Sequence, residues 1–446
     1  MRAAPPLSPA PPLRARPLRA PPLRPALLRL APLLAAVAAA CALAGCGKGG
    51  AAQNPSLVAR SAGLVEHEAV PGAVSVVTKN TTRLGGSDAA SDAAAVARAV
   101  FPGLTPATRP AAVVLVDERD WPAALASAAL ASAPLGAPIL YSEGASVPAV
   151  SAQALQALNP KGAGASLEGA KVISIGGAAP APAREGAGLL RVPVAGARTP
   201  EAAATTAAEI ARVLDAARGT TARAVIAVDL AAARALQMPA AGLAAESGAP
   251  VVYIDGGTIP AATAKLLAHG LSRRPAIYLL GATDAAAARA ALARFGHVSV
   301  IEPTAATAHA QSAPERASEN AIAVARFGAG SFGWNIHEAG HGLVFANASR
   351  PLDAPAAAPL AAHGDYAPLL LLEEGRSVPA SLARYLTDIQ PAYSETVPPV
   401  RAVYNHGWLI GDERAIAVGV QAQLDAMLEV VQRSSASEEA TLGPGE

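Results

Sequence analysis

The chain has 446 residues, of which 52% are hydrophobic and 15% are charged, and its formal net charge is +1. A chain of this length buries a large core and exceeds one ordinary domain, so we expect two or three globular units. The charge lacks the basic surplus typical of nucleic-acid-binding domains, which argues against nucleic acid as a partner.

Residues 1–45 predict a bacterial export signal. A Pro- and Arg-rich stretch without acidic residues leads into an uncharged run, Leu30 to Gly45, which is short for a bilayer span and fits the apolar part of a signal peptide. The run ends in "LAGC", which resembles the lipobox of bacterial lipoproteins. This resemblance implies cleavage before Cys46 and acylation of its thiol. Ordinary secretory cleavage or a buried structural cysteine are the alternatives.

Residues 46–78 are expected to form a lipidated tether, because the stretch after Cys46 is rich in Gly, Ala and Ser and has no sustained period. Residues 433–446 are expected to be a disordered tail. Lipid on Cys46 would hold the protein on the outer face of the cell membrane, against the cell wall.

The body between these segments contains an internal repeat in three copies, residues 111–158, 222–270 and 342–386. In each copy a proline opens a short apolar strand, and a second proline ten or eleven residues later begins a helix, where its missing N–H costs nothing. The strand-opening prolines are Pro138, Pro250 and Pro368, and the helix-opening prolines are Pro148, Pro260 and Pro379.

Each copy starts with a strand of the buried type, continues through an Ala-rich helix, and contains two further strands. The first strands are predicted at Val113–Val116, Val225–Val228 and Leu343–Ala346, and the third strands at Val172–Gly177, Ile277–Gly281 and Val403–Gly407. Continuous apolar strands that alternate with helices predict parallel sheets covered on both faces. The fold class is therefore α/β, with three tandem parallel-sheet modules.

Three motifs carry a family resemblance: "TTRLGGSDAASDAAAVARAV" (81–100), "GAPILYSEGASVP" and "KVISIGG". They resemble the cell wall-binding repeat 2 family, whose modules open with Arg-x-x-Gly-x-Asp-Arg-x-x-Thr-Ala, and the resemblance covers roughly residues 80–430. It implies a Rossmann-like or flavodoxin-like fold for each module, a pseudo-threefold arrangement, and non-covalent binding of an anionic cell-wall polymer or another envelope glycopolymer. We expect modules at 79–190, 191–298 and 299–432, in a monomer.

The resemblance also suggests residues that contact the polymer. Arg83 and Asp88 match the opening motif in the first copy, and Arg198 and Arg316 are the nearest arginines in the other two. Asp353 matches the aspartate that opens a helix in the family. Arginine suits phosphate and carboxylate groups because it donates two parallel hydrogen bonds, although each of these arginines also fits a solvated or intermodule role.

A polar and aromatic cluster near the end of the body gives a second set of candidates. Tyr404, Asn405, His406 and Trp408 combine stacking surfaces with hydrogen-bonding groups, as carbohydrate sites do. The alternative is that Tyr404 and Trp408 fill the centre of the assembly.

Two motifs suggest chemistry that their setting argues against. His337, Glu338 and His341 form a His-Glu-x-x-His pattern, which needs a helix through both histidines to hold zinc, yet it lies between a turn-like stretch and a predicted strand. Gly328-x-Gly330-x-x-Gly333 matches the dinucleotide fingerprint but follows a predicted helix, so a helix C-cap and turn explain it better. We predict no metal and no cofactor.

The sequence thus predicts a membrane-anchored lipoprotein that binds cell-wall polymer through three modules and is not an enzyme. A solute-binding lipoprotein of a transporter is the first alternative, and it requires two lobes around a cleft. A zinc metalloprotease is the second, and it requires a helix through the two histidines.

Overall fold

The computed structural model describes residues 76–176, 188–194, 198–304, 308, 310, 312–394 and 403–432. The predicted signal peptide, Cys46, most of the predicted tether and the predicted tail lie outside these residues. Among the helices that are described, none is long and apolar enough to cross a membrane.

The strands follow the apolar runs of the sequence, because Val, Ile and Leu suit a pleated surface that is covered on both faces. In chain order they are β1 (Val76–Val77), β2 (Thr81–Leu84), β3 (Val113–Asp117), β4 (Ile139–Ser142), β5 (Val172–Ile175), β6 (Leu189–Val192), β7 (Ala224–Asp229), β8 (Val251–Ile254), β9 (Ala276–Leu280), β10 (His297–Ile301), β11 (Gly342–Asn347), β12 (Leu369–Leu372), β13 (Ala392–Tyr393), β14 (His406–Ile410) and β15 (Val431–Gln432).

The helices between them are short and rich in alanine. They are α1 (Ala89–Val100), α2 (Trp121–Ser127), α3 (Ala149–Leu158), α4 (Pro200–Arg218), α5 (Arg234–Gln237), α6 (Pro239–Ser247), α7 (Ala261–Lys265), α8 (Ala285–Leu292), α9 (Ala313–Arg326), α10 (Asp353–Ala362), α11 (Ala380–Asp388) and α12 (Val418–Met427). Side-chain oxygens of Asp88, Thr199 and Ser312 cap α1, α4 and α9 by accepting from backbone N–H groups.

Three sheets each contain four parallel strands in the same order, and the third has a fifth, antiparallel strand, β1. The first sheet runs β4–β3–β5–β6, the second β8–β7–β9–β10, and the third β12–β11–β14–β2. The α/β class predicted from the sequence is therefore confirmed, with several parallel sheets flanked by helices. The pseudo-threefold arrangement and the module boundaries stay predictions.

The third sheet is completed by the start of the described chain. β2 lies parallel to β14, with Thr81 opposite Gly407 and Leu84 opposite Ile410. The antiparallel strand β1 then covers the outer edge of β2. The strand that opens predicted module 1 is thus hydrogen-bonded into the sheet of predicted module 3, so the two ends of the body are joined.

The helices that follow the first strand of each sheet form the centre of the molecule. Residues of α2, α6 and α10 are almost all buried, and alanine lets these helices approach closely. Two buried tyrosines from the second strands link neighbouring units at the carboxyl ends of the sheets. The hydroxyl of Tyr141 donates to the carbonyl of Leu352 at 2.6 Å, and that of Tyr253 donates to the carbonyl of Pro122 at 2.5 Å.

The opposite ends of the central helices also meet. His363, just after α10, lies 3.1 Å through its Nε2 atom from the carbonyl oxygen of Ala131, in the 3₁₀ turn after α2. Arg218, at the end of α4, donates to the carbonyl of Gly248 at 2.6 Å and to the hydroxyl of Ser132 at 2.9 Å. The carboxyl ends of the three sheets therefore lie on one side of the molecule, and their amino ends on the other.

Two predicted details differ from the structure. Pro148, Pro260 and Pro379 are the N-caps of α3, α7 and α11 rather than their first helical residues, because each has an extended ψ near 147°. The last strand of the third copy begins at His406 and not at Val403, which is exposed and precedes the pairing with β11.

Candidate functional site

A groove of about 390 Å³ opens at the carboxyl ends of the first and second sheets. One wall is the loop after β3 with the start of α2, and the other is the first half of α4. Loops that follow β7 and β8 close one end of the groove. Its charged side chains come from both sheets: Asp117, Arg119, Asp120, Arg198, Arg234 and Asp255.

Three arginines surround this groove. Arg119 follows β3, Arg198 precedes α4, and Arg234 begins α5, and all three side chains are exposed. Within the residues that the structure describes, none of their guanidinium groups makes a hydrogen bond or ion pair with another side chain. These groups are therefore available to an anionic or hydroxyl-bearing ligand.

Three aspartates accompany the arginines. Asp120 caps α2 by accepting from the Ala123 N–H at 3.1 Å. Burial raises its pKa, while that hydrogen bond and the nearby Arg198 act in the opposite direction. Asp117 and Asp255 stand at the ends of β3 and β8. Carboxylates accept from sugar hydroxyls and guanidiniums donate to anionic groups, so the groove suits a polar ligand that carries both.

The floor of the groove is held by a buried tryptophan. The indole N–H of Trp121 donates to the side-chain oxygen of Gln237 at 2.8 Å, and the Gln237 amide donates to the carbonyl of Ala232 at 2.8 Å. These bonds fix the loop after β7 against the start of α2. The arginines and aspartates thus stand on a rigid base.

A second, smaller groove of about 280 Å³ lies where the loops after β9 and β10 face α9. The exposed Arg316 lines it together with Glu302 and the buried Glu319. The amide of Asn320 donates to the carbonyl of Leu236 at 2.9 Å, which joins α9 to α5. The acidic side chains outnumber Arg316 here, so this groove is less favourable to an anion than the first.

Where the third sheet meets the first, three charged side chains form a cluster. Arg350, in the loop after β11, forms ion pairs with Asp353 at the start of α10, at 2.9 Å, and with Asp92 in the first turn of α1. Its Nη1 atom also donates to the carbonyl of Ser87 at 3.3 Å. Both carboxylates are buried, and Asp92 also accepts from the Gly86 N–H at 2.6 Å.

The electrostatics of this cluster depend on burial. Burial raises the pKa of Asp92 to about 6, although Arg350 favours its charged form. Burial and the neighbouring Asp92 raise the pKa of Asp353 well above its ordinary value. Burial alone would lower the pKa of Arg350, but the two carboxylates outweigh it and raise the pKa.

Arg83, predicted to contact polymer, is buried, with 1% of its surface exposed. It donates to the side chain of Gln421 at 3.1 Å and to the carbonyls of Gly411, Asp412 and Ile416 at 3.0, 2.7 and 2.8 Å. Its guanidinium therefore holds the loop between β14 and α12 and is not accessible to a polymer.

The strand pairing also shows which residues of the other two sheets occupy the position of Arg83. Strand pairing places Arg83 in β2 at the same position as Arg191 in β6 and Val300 in β10. Arg198 and Arg316, which the sequence pattern aligned with Arg83, lie beyond these strands. They line the two grooves, so they share a location with each other and not with Arg83.

The two predicted aspartates have structural partners. Asp353 has 1% of its surface exposed and is paired with Arg350, so it is not a surface contact. Asp88 is exposed, and its carboxylate accepts from the Ser91 N–H at 2.8 Å, which caps α1.

Asn405 is also an internal residue. Its side-chain oxygen accepts from the N–H groups of Gly340 and His341 at 2.8 and 3.1 Å, and its amide donates to the carbonyl of Ile389 at 2.8 Å. With 2% of its surface exposed, it cannot reach a ligand.

The three aromatic candidates lie at the amino end of β14, far from the grooves. His406 is half-buried, with Nε2 3.0 Å from the hydroxyl of Thr82, and its ring meets that of Trp408 edge-on at 5.0 Å. Trp408 packs against the main core. Tyr404 is exposed.

The His-Glu-x-x-His stretch is not helical. Helix α9 ends at Arg326 and β11 begins at Gly342, and the chain between them, which is fully described, contains no helix. His337 and His341 are therefore not one helical turn apart on a common face. In the described part of the chain, no group of three or more His, Cys, Asp or Glu side chains is arranged to hold a metal ion.

The glycine-rich stretch 328–333 forms a tight turn. Ala329 and Phe332 exchange backbone hydrogen bonds of 2.9 and 3.2 Å, and Gly330 between them has a φ of +64°. The predicted turn is thus present, but the C-cap of α9 is Phe327 and not a glycine.

Sequence reasoning missed Arg119, Arg234 and Arg350. Arg119 and Arg350 stand in the loops after β3 and β11, and Arg234 opens the short helix after β7, at the carboxyl ends of strands where ligand-binding residues of parallel α/β sheets usually lie. That positional rule would have selected them, whereas the motif of the first copy pointed to Arg83.

The body is thus an α/β protein with three parallel sheets and polar grooves at their carboxyl ends. No family model and no curated protein sequence matches it. Its fold is similar to those of two solved cell wall proteins, Cwp8 and Cwp6 from Clostridium difficile.

The similarity to Cwp8 has a TM-score of 0.56 at 20% identity and covers 79% of this chain and 52% of that chain. For Cwp6 the TM-score is 0.56 at 16% identity, with 80% and 51% coverage. The chain therefore spans about half the length of each structure. At these identities the likeness shows the fold.

Proposed function

We propose that this chain is a wall-associated lipoprotein that binds an anionic glycopolymer of the cell envelope non-covalently and has no catalytic function. The observation that carries the proposal is the fold shared with Cwp8 and Cwp6 over about four fifths of the chain. The stretch "LAGC" ending at Cys46, which resembles a lipobox, supports attachment to the outer face of the membrane.

The groove between the first and second sheets supports polymer binding. Its volume falls within the range of small-ligand sites and is enough for a sugar unit. Arg198 and Arg234 would hold a phosphate or carboxylate substituent, and Asp117 and Asp255 would accept from sugar hydroxyls.

The second groove supports binding to a repeating chain. Arg316 offers one more cationic contact on the same side of the molecule as the first groove. A polymer presents the same group many times, so two weak sites on one rigid body gain affinity through effective concentration. The chain therefore does not need a large net positive charge to bind an anionic polymer.

The test is cosedimentation with purified cell wall, using the Cys46→Ser variant, which has no thiol to acylate at position 46. We expect the protein to pellet with intact wall and to remain in solution after secondary polymers have been extracted. Equal binding to wall with and without secondary polymers, or no binding to either, would contradict polymer recognition.

A double variant, Arg198→Ala with Arg234→Ala, locates the site. Each charge-assisted hydrogen bond contributes about 1.5–3 kcal/mol, so we expect affinity to fall about tenfold or more. The matched control is Arg223→Ala with Arg273→Ala, which removes the same charge from exposed arginines at the amino ends of β7 and β9. The control should bind like the unchanged protein.

A further inference from the structure

Exposed hydrophobic side chains are concentrated on one edge of the molecule. The described residues contain seven large hydrophobic side chains that are exposed, and five of them belong to the third sheet or to the segments just before its strands. These are Val76 and Val77 on β1, Tyr366 before β12, and Val403 and Tyr404 before β14, with 40, 68, 57, 54 and 59% of their surface exposed. We call these five residues the amino-end row.

The sheet register brings the members of the row together. Val77 lies opposite Thr82 near the start of β2, and β14 lies beside β2. Val403 lies against Gly340, just before the neighbouring strand β11, since a Cβ atom built on Gly340 would be 3.4 Å from that of Val403. Tyr366 precedes the next strand, β12. Val77, Val403, Tyr404 and Tyr366 thus follow the amino ends of adjacent strands, whereas Val76 lies opposite Arg83, one residue closer to the carboxyl end of β2.

The row faces away from the polymer grooves. The grooves lie at the carboxyl ends of the sheets, and the contacts of the central helices show that the three sheets point the same way. A surface in contact with the row would leave both grooves open on the far side of the molecule.

The chemistry of the row fits a lipid surface. Valine contributes apolar area, and tyrosine combines an apolar ring with a hydroxyl that stays hydrated, which suits the membrane interface. The ammonium of Lys79, in the turn between β1 and β2, pairs with Glu429 at 2.6 Å, and the carboxylate of Asp425, which accepts from the Asn80 N–H at 2.8 Å, leaves one negative charge beside this turn. Such a surface gives modest affinity through buried apolar area.

Modest affinity for the bilayer is sufficient because the row is close in sequence to the predicted lipid site. Val76 belongs to the row, and roughly 30 residues connect it to Cys46, a stretch that spans at most about 100 Å when extended. A lipid on Cys46 would keep the row near the bilayer at high effective concentration, so weak contacts would be populated.

We infer that the amino-end row rests on the outer surface of the phospholipid bilayer and orients the grooves toward the wall. This inference rests on the lipid attachment proposed above. It adds a second contact with the membrane and a fixed direction for the polymer sites.

Tryptophan fluorescence can test the orientation, because the chain has three tryptophans and they lie at different ends. Trp334, whose indole N–H donates to the Tyr366 carbonyl at 2.6 Å, and Trp408 lie near the row, whereas Trp121 forms the floor of the groove. The full-length acylated protein would be placed in vesicles of phosphatidylcholine and phosphatidylglycerol, with brominated phosphatidylcholine as the quencher.

We expect Trp121→Phe, which leaves the two row-side tryptophans, to be quenched, and the double variant Trp334→Phe with Trp408→Phe to be almost unaffected. Equal quenching of the two proteins, or quenching of neither, would overturn the inference when mass spectrometry shows lipid on Cys46. Absence of lipid would contradict the lipoprotein proposal itself and remove the inference with it.

A variant of the row itself tests the inference if the proteins with substituted tryptophans do not fold. Val77→Ser, Tyr366→Ser and Tyr404→Ser alter exposed positions only, and we expect the triple variant to lose most of the quenching seen for the unchanged protein. Leu104→Ser with Val418→Ser, at exposed hydrophobic positions outside the row, is the matched control and should retain it. Retention of quenching by the triple variant would also overturn the inference.

Discussion

Arg350, which is partly buried, and the fully buried Asp92 form an ion pair between residues that are 258 positions apart in the sequence. The pair joins the loop after β11 to the first turn of α1, at the place where the third sheet meets the start of the described body. Together with Asp353, it forms a charged cluster at this junction, whereas the corresponding junction between the first and second sheets contains a groove. One architecture thus provides a structural junction at one position and a candidate binding site at another.

The raised pKa of Asp92 predicts a specific dependence of stability on pH. The folded protein keeps the Asp92 proton up to about pH 6, whereas the unfolded chain releases it near the ordinary value of 3.8. Protonated Asp92 therefore stabilises the folded state fully below about pH 4. This stabilisation is lost as the pH rises from about 4 to 6. The loss is about 1–3 kcal/mol.

Urea denaturation of the unchanged protein and of Asp92→Asn at pH 4.5 and pH 7 measures this effect. We expect the variant to gain stability relative to the unchanged protein as the pH is raised, because its amide has no proton to lose. Asp88→Asn, in the exposed cap of the same helix, should follow the unchanged protein. Parallel pH profiles for all three proteins would contradict the assignment to Asp92.

Removal of Arg350 should be strongly destabilising. Arg350→Ala leaves Asp92 and Asp353 facing each other in a buried site without a cation, which costs about 3–5 kcal/mol in comparable cases. The loss should be smaller at pH 4.5 than at pH 7, because protonation removes the repulsion between the carboxylates. Arg119→Ala is the control, since an exposed arginine without partners usually changes stability by less than about 0.5 kcal/mol. Equal stability of the two variants would show that Arg350 is not essential to the junction.

The strand positions could be predicted from the sequence because buried parallel strands form continuous apolar runs that stand out between helices. The runs after Pro138, Pro250 and Pro368 are all strands in the structure. The fourth strand of each sheet could not be found in this way. β6 and β10 are short edge strands with partly exposed residues, so their sequences lack a continuous apolar run.

The closure of the third sheet by β2 could not be predicted from the sequence for another reason. Pairing between Thr81 and Gly407 is a contact across the whole chain, and local periodicity carries no information about it. Arg83 was misplaced for the same reason, because its partners at Gly411, Asp412 and Ile416 come from the other end of the body. A recognisable arginine in a motif indicates that the residue matters, but burial decides whether it binds a ligand or holds the fold.

This distinction can be measured with Arg83→Ala. The substitution leaves three backbone carbonyls without their donors in a buried site, so we expect a loss of about 3–5 kcal/mol in the free energy of unfolding. Wall binding per folded molecule should be unchanged. The groove variant Arg198→Ala with Arg234→Ala should show the reverse pattern, with nearly unchanged stability and weakened binding. A stable Arg83→Ala protein that no longer binds wall would contradict the structural role.

The His-Glu-x-x-His stretch leads to a prediction about zinc. Two histidines four residues apart bind one metal ion when a helix places both imidazoles on the same face, and residues 335–341 are not helical. We therefore expect a chelator to leave the thermal midpoint of the protein unchanged, and His337→Ala with His341→Ala to leave its zinc content unchanged. Elemental analysis of the purified chain provides the measurement. One zinc ion per chain that disappears in the double variant would show that this loop rearranges to bind metal, and the metalloprotease alternative would then replace the binding protein proposed here.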